Sequence, residues 1–280
     1  MKAAGFLAIL AVLVLQPASG QAVLKLPCAD KDEKCAHEAM KNHIAGRLDT
    51  WRTALSIPVG ERIGPAPPLL VEYINLDNIK NGFPERPRAA KLDTDLLADV
   101  KAAVSDLPPK IWELFGKRLV GLYFVEDLGG TGFTDYVFDH DARPVAAYVV
   151  FDAAVLTKTK ANAWATWKEN TPFKPDATYE LKARIEADGD DNRKNAIQYI
   201  LLHELGHVLS VGAKLHPPWN IEPKEMENSA EYPFFNLSWK IDREANQYQS
   251  VFDAAFPQRL NTVYYFGAKL SATEMLPTYV

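Results

Sequence analysis

A strongly helical segment, Asn195–Val211, constrains the fold of this chain more than any other part of its sequence. Asp190 or Asp191 is placed to cap the start of a helix there, and Gly212 can end it in the left-handed conformation. Pro217 prevents a simple continuation. Apolar residues recur at three- and four-residue steps and give such a helix one broad buried face: Ile197, Ile200, Leu201, Leu205, Val208 and Leu209. The sequence therefore predicts a long helix packed against a core.

The same segment contains His203-Glu204-Leu205-Gly206-His207, which fits the pattern H-E-x-x-H. Imidazoles four residues apart on a helix stand above one another and can share a zinc ion at about 2.0–2.1 Å. Glu204 lies about 100° round the helix from His203, so it is placed to act on a water rather than as a ligand. Zinc lowers the pKa of a bound water to about 7, and a carboxylate can accept its proton. The alternative is a surface helix with two solvated histidines.

These residues resemble the active-site helix of the zincin superfamily of metallopeptidases, in which Leu205-Gly206 and Val208-Leu209 are also typical. The resemblance covers this helix only. It implies an α+β fold in which a twisted mixed sheet lies over the active-site helix, beside a mainly helical or irregular C-terminal lobe. It also implies a peptide or protein substrate that adds as a strand to the edge of that sheet, for which Pro144–Phe151 is the candidate.

A third zinc ligand is expected, because a catalytic zinc usually has three protein ligands and one open position. We predict His216 for this role, since it follows the helix closely and Gly212 permits a reversal of the chain. One zincin branch extends the motif to H-E-x-x-H-x-x-G-x-x-H. This chain departs from that extension, because Ser210 and Ala213 occupy the added glycine and histidine positions.

Acidic residues farther along the chain are the alternatives for the third ligand. In another zincin branch a glutamate on a second helix completes the site, and Glu227 stands at a spacing that some members use. Lys224–Tyr232 is the candidate for that helix, and Glu231 is placed to orient a ligating histidine. Glu244 is a weaker candidate. A site without a third ligand is the last alternative, and it would bind zinc weakly.

The remaining hydrophobic pattern predicts a mixture of helices and strands. Predicted helices are His37–Leu55, Thr94–Ser105, Pro109–Phe115 and Lys158–Glu169, and predicted strands are Leu69–Leu76, Leu119–Val125 and Pro144–Phe151. Asp127–Thr134 is glycine-rich and predicts a turn. No linker divides the chain, so residues 21–280 are predicted to form a single domain, with sub-lobes of about 21–212 and 213–280.

The first 20 residues have the pattern of a secretory signal peptide. Lys2 supplies a positive start, Gly5–Leu15 is apolar, and the small residues before Gln21 suit cleavage. We therefore expect a secreted or periplasmic protein. In an oxidising compartment Cys28 and Cys35 can close a small disulfide loop, and two free thiols are the alternative.

Charge and hydropathy limit the partners of the chain. The formal net charge is -5 and no block of lysine and arginine occurs, which argues against nucleic acid as a partner. After the signal, no stretch reaches the roughly 18 apolar residues of a membrane span. The leading hypothesis is a zinc-dependent peptide hydrolase with Glu204 as general base. The rival is a non-catalytic exported binding or structural protein with a zincin-like shape and an incomplete metal site.

Overall fold

The computed structural model describes residues 25–175, 178, 181–218, 221–226, 228–251, 271, 273 and 274, so the predicted signal peptide lies outside the described residues. The α-helices within these ranges are α1 (Glu33–Lys41), α2 (Leu48–Ser56), α3 (Pro68–Lys80), α4 (Thr94–Ser105), α5 (Pro109–Phe115), α6 (Ala153–Lys158), α7 (Ala161–Asn170) and α8 (Arg193–Ser210). The strands are β1 (Ile63–Pro65), β2 (Arg88–Ala89), β3 (Leu119–Glu126), β4 (Gly132–Phe138), β5 (Pro144–Asp152), β6 (Trp239–Asp242) and β7 (Gln247–Ser250).

Five strands form one mixed sheet in the order β1-β3-β5-β4, with β2 also paired to β3. Strands β1, β3 and β5 are parallel, whereas β4 is antiparallel to β5 and β2 is antiparallel to β3. Strands β6 and β7 form a separate antiparallel pair. The predicted α+β class with a mixed sheet is therefore confirmed.

Strand β5 lies inside the sheet and is hydrophobic on both faces, as expected of a strand covered on two sides. Its side chains alternate between two cores. Ala147, Val149 and Phe151 pack with the apolar face of α8. Ala146, Tyr148 and Val150 pack with residues of α2 and α3. Helices therefore cover both faces of the sheet, and α8 is held against one of them.

Several sequence predictions agree closely with the structure. Helices α4 and α5 have the predicted bounds, and β3 and β5 each extend the predicted strand by one residue. Helix α8 begins two residues earlier than predicted, where Asn192 rather than Asp190 or Asp191 accepts a hydrogen bond from Asn195 N at 2.9 Å. Gly212 adopts the left-handed conformation with φ +66°, as predicted for the residue that ends the helix.

The predicted strand Leu69–Leu76 is wrong, because this segment lies within helix α3. Pro68 occupies the first turn of that helix, where its fixed φ favours helix formation and its missing N–H costs nothing. Buried residues continue along most of the helix and include Leu70, Val71 and Ile74. A segment that is apolar on nearly every side has no clear period, and short runs of this kind are ambiguous between strand and helix.

Two predicted helices are each divided in the structure. His37–Leu55 spans α1 and α2, which are separated by a short 3₁₀ turn where the His43 side chain accepts from Ala45 N at 3.1 Å. Lys158–Glu169 spans the end of α6 and most of α7, which begins at Ala161. The predicted turn Asp127–Thr134 ends early, since β4 begins at Gly132.

Cys28 and Cys35 form a disulfide, in agreement with the first of the two alternatives. It lies beside α1, and Cys28 belongs to a small core in which Ala36 packs with Leu76 and Ile79 of α3. Among the described helices, none has both the length and the apolar character needed to cross a bilayer.

Candidate active site

Helix α8 presents His203 and His207 one turn apart on the same side. Their ring centroids are 5.0 Å apart and their planes are nearly perpendicular, at 82°. His203 is exposed and His207 is half-buried. The histidines are therefore adjacent and accessible, because a separation of four residues places side chains above one another on a helix.

Glu204 points from α8 toward the sheet and is only 6% exposed. Its Oε2 accepts a hydrogen bond at 2.7 Å from Thr134 Oγ1, on β4. Burial raises the pKa of Glu204, while the Thr134 hydroxyl and the nearby His203 oppose that rise. The site thus contains a buried carboxylate with raised proton affinity, held by one hydroxyl donor.

Burial also lowers the pKa of His207, and the nearby imidazoles of His203 and His216 lower it further. A lowered pKa favours the neutral imidazole at neutral pH. Neutral imidazole is the form of histidine that binds metals. The environment of His207 therefore suits a metal ligand.

His216 lies near this group, but both of its ring nitrogens have hydrogen-bonding neighbours. Nε2 is 2.8 Å from Ser210 Oγ, and Nδ1 is 2.7 Å from the Pro217 carbonyl oxygen. Ser210 Oγ in turn donates to the carbonyl oxygen of His207 at 2.7 Å. Through these hydrogen bonds, Ser210 links His216 to the end of α8. Among the described residues, the ring nitrogens of His216, His203 and His207 do not come together as a group of three donors.

The acidic alternatives for the third ligand lie in the irregular region after α8. Glu231 is exposed and forms an ion pair with Lys214, with Oε2 and Nζ 2.7 Å apart. Glu244 is also exposed, and Glu227 lies outside the described residues. The predicted helix Lys224–Tyr232 is not formed as such, since its described residues adopt two short 3₁₀ turns, Pro223–Glu225 and Ser229–Glu231.

Within the described ranges, the three donor side chains that come within 4.8 Å of one another are Asp139, His140 and Asp141. They lie in the turn between β4 and β5. Asp139 Oδ1 accepts from the backbone nitrogens of Asp141 and Arg143 at 2.9 Å each, and Asp141 pairs with Arg143. Because these hydrogen bonds and this ion pair hold the three residues together, we interpret the cluster as a polar turn.

A cavity of about 250 Å³ opens beside the motif, and both His203 and Glu204 line it. The rest of its lining comes from the glycine-rich segment before β4, from α7 and from α8: Gly130, Thr131, Gly132, Trp164, Trp167, Lys168, Thr171 and Ile200. The buried carboxylate and one motif histidine therefore face a common cavity.

Strand β4, and not the predicted Pro144–Phe151, forms the edge of the sheet next to β5, and β1 lies at the other end of the strand order. The predicted segment lies in β5, which pairs with β3 on one side and β4 on the other. On the outer side of β4, Arg47 forms an isolated bridge with Phe138. The prediction failed because it assigned the edge by analogy, whereas the unbroken hydrophobic run of β5 is typical of an interior strand.

Sequence reasoning identified the three motif residues but missed Thr134 and the cavity. A single threonine in a glycine-rich stretch carries no distinctive signal. Trp164 and Trp167 lie within the predicted helix Lys158–Glu169, but only the packing of α7 beside α8 brings them to the motif. In comparisons with known proteins, no family model, curated protein or solved structure matches this chain.

Proposed function

We propose that this protein is an exported zinc-dependent hydrolase that cleaves peptide bonds, with Glu204 as general base. The observation that carries the proposal is the joint placement of His203 and Glu204 at one cavity, with His207 one turn along the same helix. The imidazoles of exposed His203 and half-buried His207 supply metal donors, and the buried carboxylate beside them supplies a base.

The donor set fits zinc, which binds imidazole nitrogen and carboxylate oxygen. His203 and His207 would hold the ion. When bound, zinc supplies a water of lowered pKa and polarises a carbonyl oxygen. A regular three-histidine site would require His216 to exchange its contacts with Ser210 and Pro217 for the ion. Glu227, Glu231 and Glu244 are the other candidates for that position.

Glu204 performs the proton transfers in this proposal. Its carboxylate accepts a proton from the attacking water and then gives it to the leaving amide nitrogen. Burial raises the pKa of this carboxylate, which strengthens it as a base. The hydrogen bond from Thr134 holds one oxygen in place and leaves the other for the water.

The sheet offers a place for an extended substrate. Strand β4 lies at an edge of the sheet, and its residue Thr134 donates a hydrogen bond to Glu204 of the motif on α8. A peptide added to this edge would run past the cavity that Glu204 and His203 line. This arrangement supports a zincin-like organisation of sheet, helix and cleft.

Export is part of the same proposal. The N-terminal pattern is that of a signal peptide, and the disulfide between Cys28 and Cys35 is of a kind that persists in oxidising compartments. N-terminal sequencing of protein recovered from the medium or the periplasm tests it. A mature chain that begins near Gln21 supports export, and an intact Met1 in a cytosolic fraction contradicts it.

A second candidate function is a non-catalytic binding or structural module. The observation that favours it is the state of His216, whose two nitrogens already have partners. Among the described residues, no third donor is assembled with His203 and His207. Such a chain would keep the shape of the site without turnover.

The distinguishing experiment measures zinc content and peptide hydrolysis of the purified full-length protein and of Glu204→Gln. The hydrolase proposal expects about one zinc per chain in both proteins, and a loss of turnover of about 10²–10⁴-fold in the variant. Glu38→Gln, which changes an exposed acid of α1 that pairs with Lys41 and is not a candidate ligand, is the control and should keep full turnover. A protein without zinc, whose peptide hydrolysis is absent or insensitive to Glu204→Gln, would leave the binding module as the function.

A further inference from the structure

The cavity beside the motif has the volume of a pocket for one large side chain. It measures about 250 Å³. An engineered apolar cavity of about 150 Å³ in another protein binds benzene, so this volume is sufficient for an aromatic ring with its first methylene. An alanine side chain would leave most of it unfilled.

Its walls include aromatic and apolar side chains beside the polar ones. Trp164 of α7 is 8% exposed, and Ile200 of α8 is 3% exposed. The indole of Trp164 is held in place, because its Nε1 donates to Thr131 Oγ1 at 3.0 Å and its ring lies 5.7 Å from that of Tyr199. Trp167, on the next exposed turn of α7, forms the outer part of the wall. The surface that an entering side chain meets is therefore largely preformed.

Two glycines also line the cavity. A Cβ at Gly132 would lie 2.7 Å from the Val150 carbonyl oxygen, so the close pairing of β4 with β5 requires glycine there. A Cβ at Gly130 would meet nothing within 4 Å, which shows the free space beside this segment. Side chains therefore do not fill the cavity from these two positions of the segment.

We propose that this cavity binds a large aromatic side chain of the peptide substrate, next to the bond at which Glu204 acts. Trp164, Trp167 and Ile200 are the residues that determine this preference. An aromatic occupant buries apolar area against them and gains favourable ring contacts with the two indoles. The inference rests on the proposed function for its place in catalysis, but binding in the cavity needs neither zinc nor turnover.

The first test compares N-acetyl-phenylalanine amide with N-acetyl-alanine amide as probes. Each is titrated into the full-length Glu204→Gln protein while the indole N–H signals of the tryptophans are followed by nuclear magnetic resonance. The phenylalanine probe should bind at least about tenfold more tightly and shift the Trp164 signal. Equal affinities, or shifts confined to other tryptophans, would overturn the proposal.

A matched pair of variants locates the binding. Trp167 and Trp239 have nearly the same exposure, 42% and 43%, but Trp239 lies on β6, where it stacks on Phe235 away from the cavity. Trp167→Ala should weaken binding of the phenylalanine probe by about tenfold, and Trp239→Ala should leave it unchanged. An unchanged affinity in Trp167→Ala, or an equal loss in both variants, contradicts the assignment.

Repeating the titration with added zinc and with a chelator separates this inference from the proposed function. A preference for the phenylalanine probe in a protein that neither holds zinc nor hydrolyses peptides supports the pocket and rejects the hydrolase. Hydrolysis that shows no preference for aromatic side chains, with no probe binding, supports the hydrolase and rejects the pocket.

Discussion

Thr134 Oγ1 lies 2.7 Å from Glu204 Oε2, and this contact joins the outer strand of the sheet to the helix that carries the motif. The two residues are 70 positions apart in the sequence. Thr134 is itself only 8% exposed, so the hydrogen bond forms away from bulk water. Hydrogen bonds to charged groups in such surroundings are stronger than those in solvent.

Replacement of Thr134 by valine removes this hydroxyl and retains most of the side-chain volume. We expect kcat/KM to fall by about 10- to 100-fold, because a hydrogen bond to a charged group contributes about 1.5–3 kcal/mol. The Thr134 hydroxyl lowers the pKa of Glu204, so its loss should move the acidic limb of the pH–rate profile to higher pH. Thr134→Ser should restore both properties. A profile that is the same for valine and threonine would show that the hydroxyl has no part in the reaction.

Glu204→Gln should change the stability of the zinc-free protein in a pH-dependent way. Burial raises the folded-state pKa of Glu204 above its unfolded value of 4.5, so the folded state binds the proton more tightly. The stabilisation from this group is complete below the unfolded pKa and is lost as pH rises through the folded pKa. The glutamine variant should therefore unfold at a higher temperature than wild type at pH 7, with the difference shrinking toward pH 4. Calorimetry of chelated samples measures this, and a lower unfolding temperature for the variant at pH 7 contradicts it.

Asp135, on the other face of the sheet, should also make the folded protein less stable as pH rises. Burial raises its pKa from 3.8 to about 6, although Tyr73, Tyr148 and the Tyr136 backbone N–H donate hydrogen bonds to it. Its contribution to folding is thus greatest below pH 3.8 and is lost as pH rises through about 6. The unfolding temperature of wild type should fall across that window.

Asp135→Asn should remove part of this decline, whereas Asp141→Asn, in the exposed turn between β4 and β5, should leave it unchanged. Thermal unfolding at intervals from pH 4 to 8 provides the measurement. The Glu204→Gln variant serves as a second background, since Glu204 contributes a slope of the same sign. Identical slopes in wild type and Asp135→Asn would show that Asp135 does not titrate in this range.

The disulfide should contribute measurably to stability even though its loop is short. Cys28 and Cys35 are seven positions apart, for which the chain-entropy relation gives about 2–3 kcal/mol. The double variant Cys28→Ser with Cys35→Ser should lower the free energy of unfolding by that amount in denaturant titrations. Wild type treated with reductant provides the control and should match it. A double variant as stable as the oxidised protein contradicts this account.

Zinc affinity should identify the third ligand. His216→Ala should weaken zinc binding on the order of 100-fold if its imidazole joins His203 and His207 in holding the ion. Glu231→Ala should leave the affinity unchanged, because Glu231 is paired with Lys214 in an exposed position. Competition with a chromogenic chelator measures both. The reverse pattern would transfer the role of ligand to Glu231.

Local patterns predicted the elements that depend on nearby residues. The bounds of α4 and α5 and the position of β3 follow from capping residues, prolines and apolar runs within each segment. Helix α3 was missed because its burial on nearly all sides hides the helical period. The division of His37–Leu55 was missed because apolar spacing continues across the break at His43.

The sequence by itself determined the motif, since residues at positions i and i+4 of one helix meet whatever the rest of the chain does. It thereby placed His203 and His207 together and Glu204 at a known angle from them. Only the tertiary structure decided that Thr134 holds Glu204, that β4 and not β5 forms an edge of the sheet, and that Trp164 lies beside the site. These contacts join distant segments. They depend on strand order and on the packing of α7 against α8, which no local period encodes.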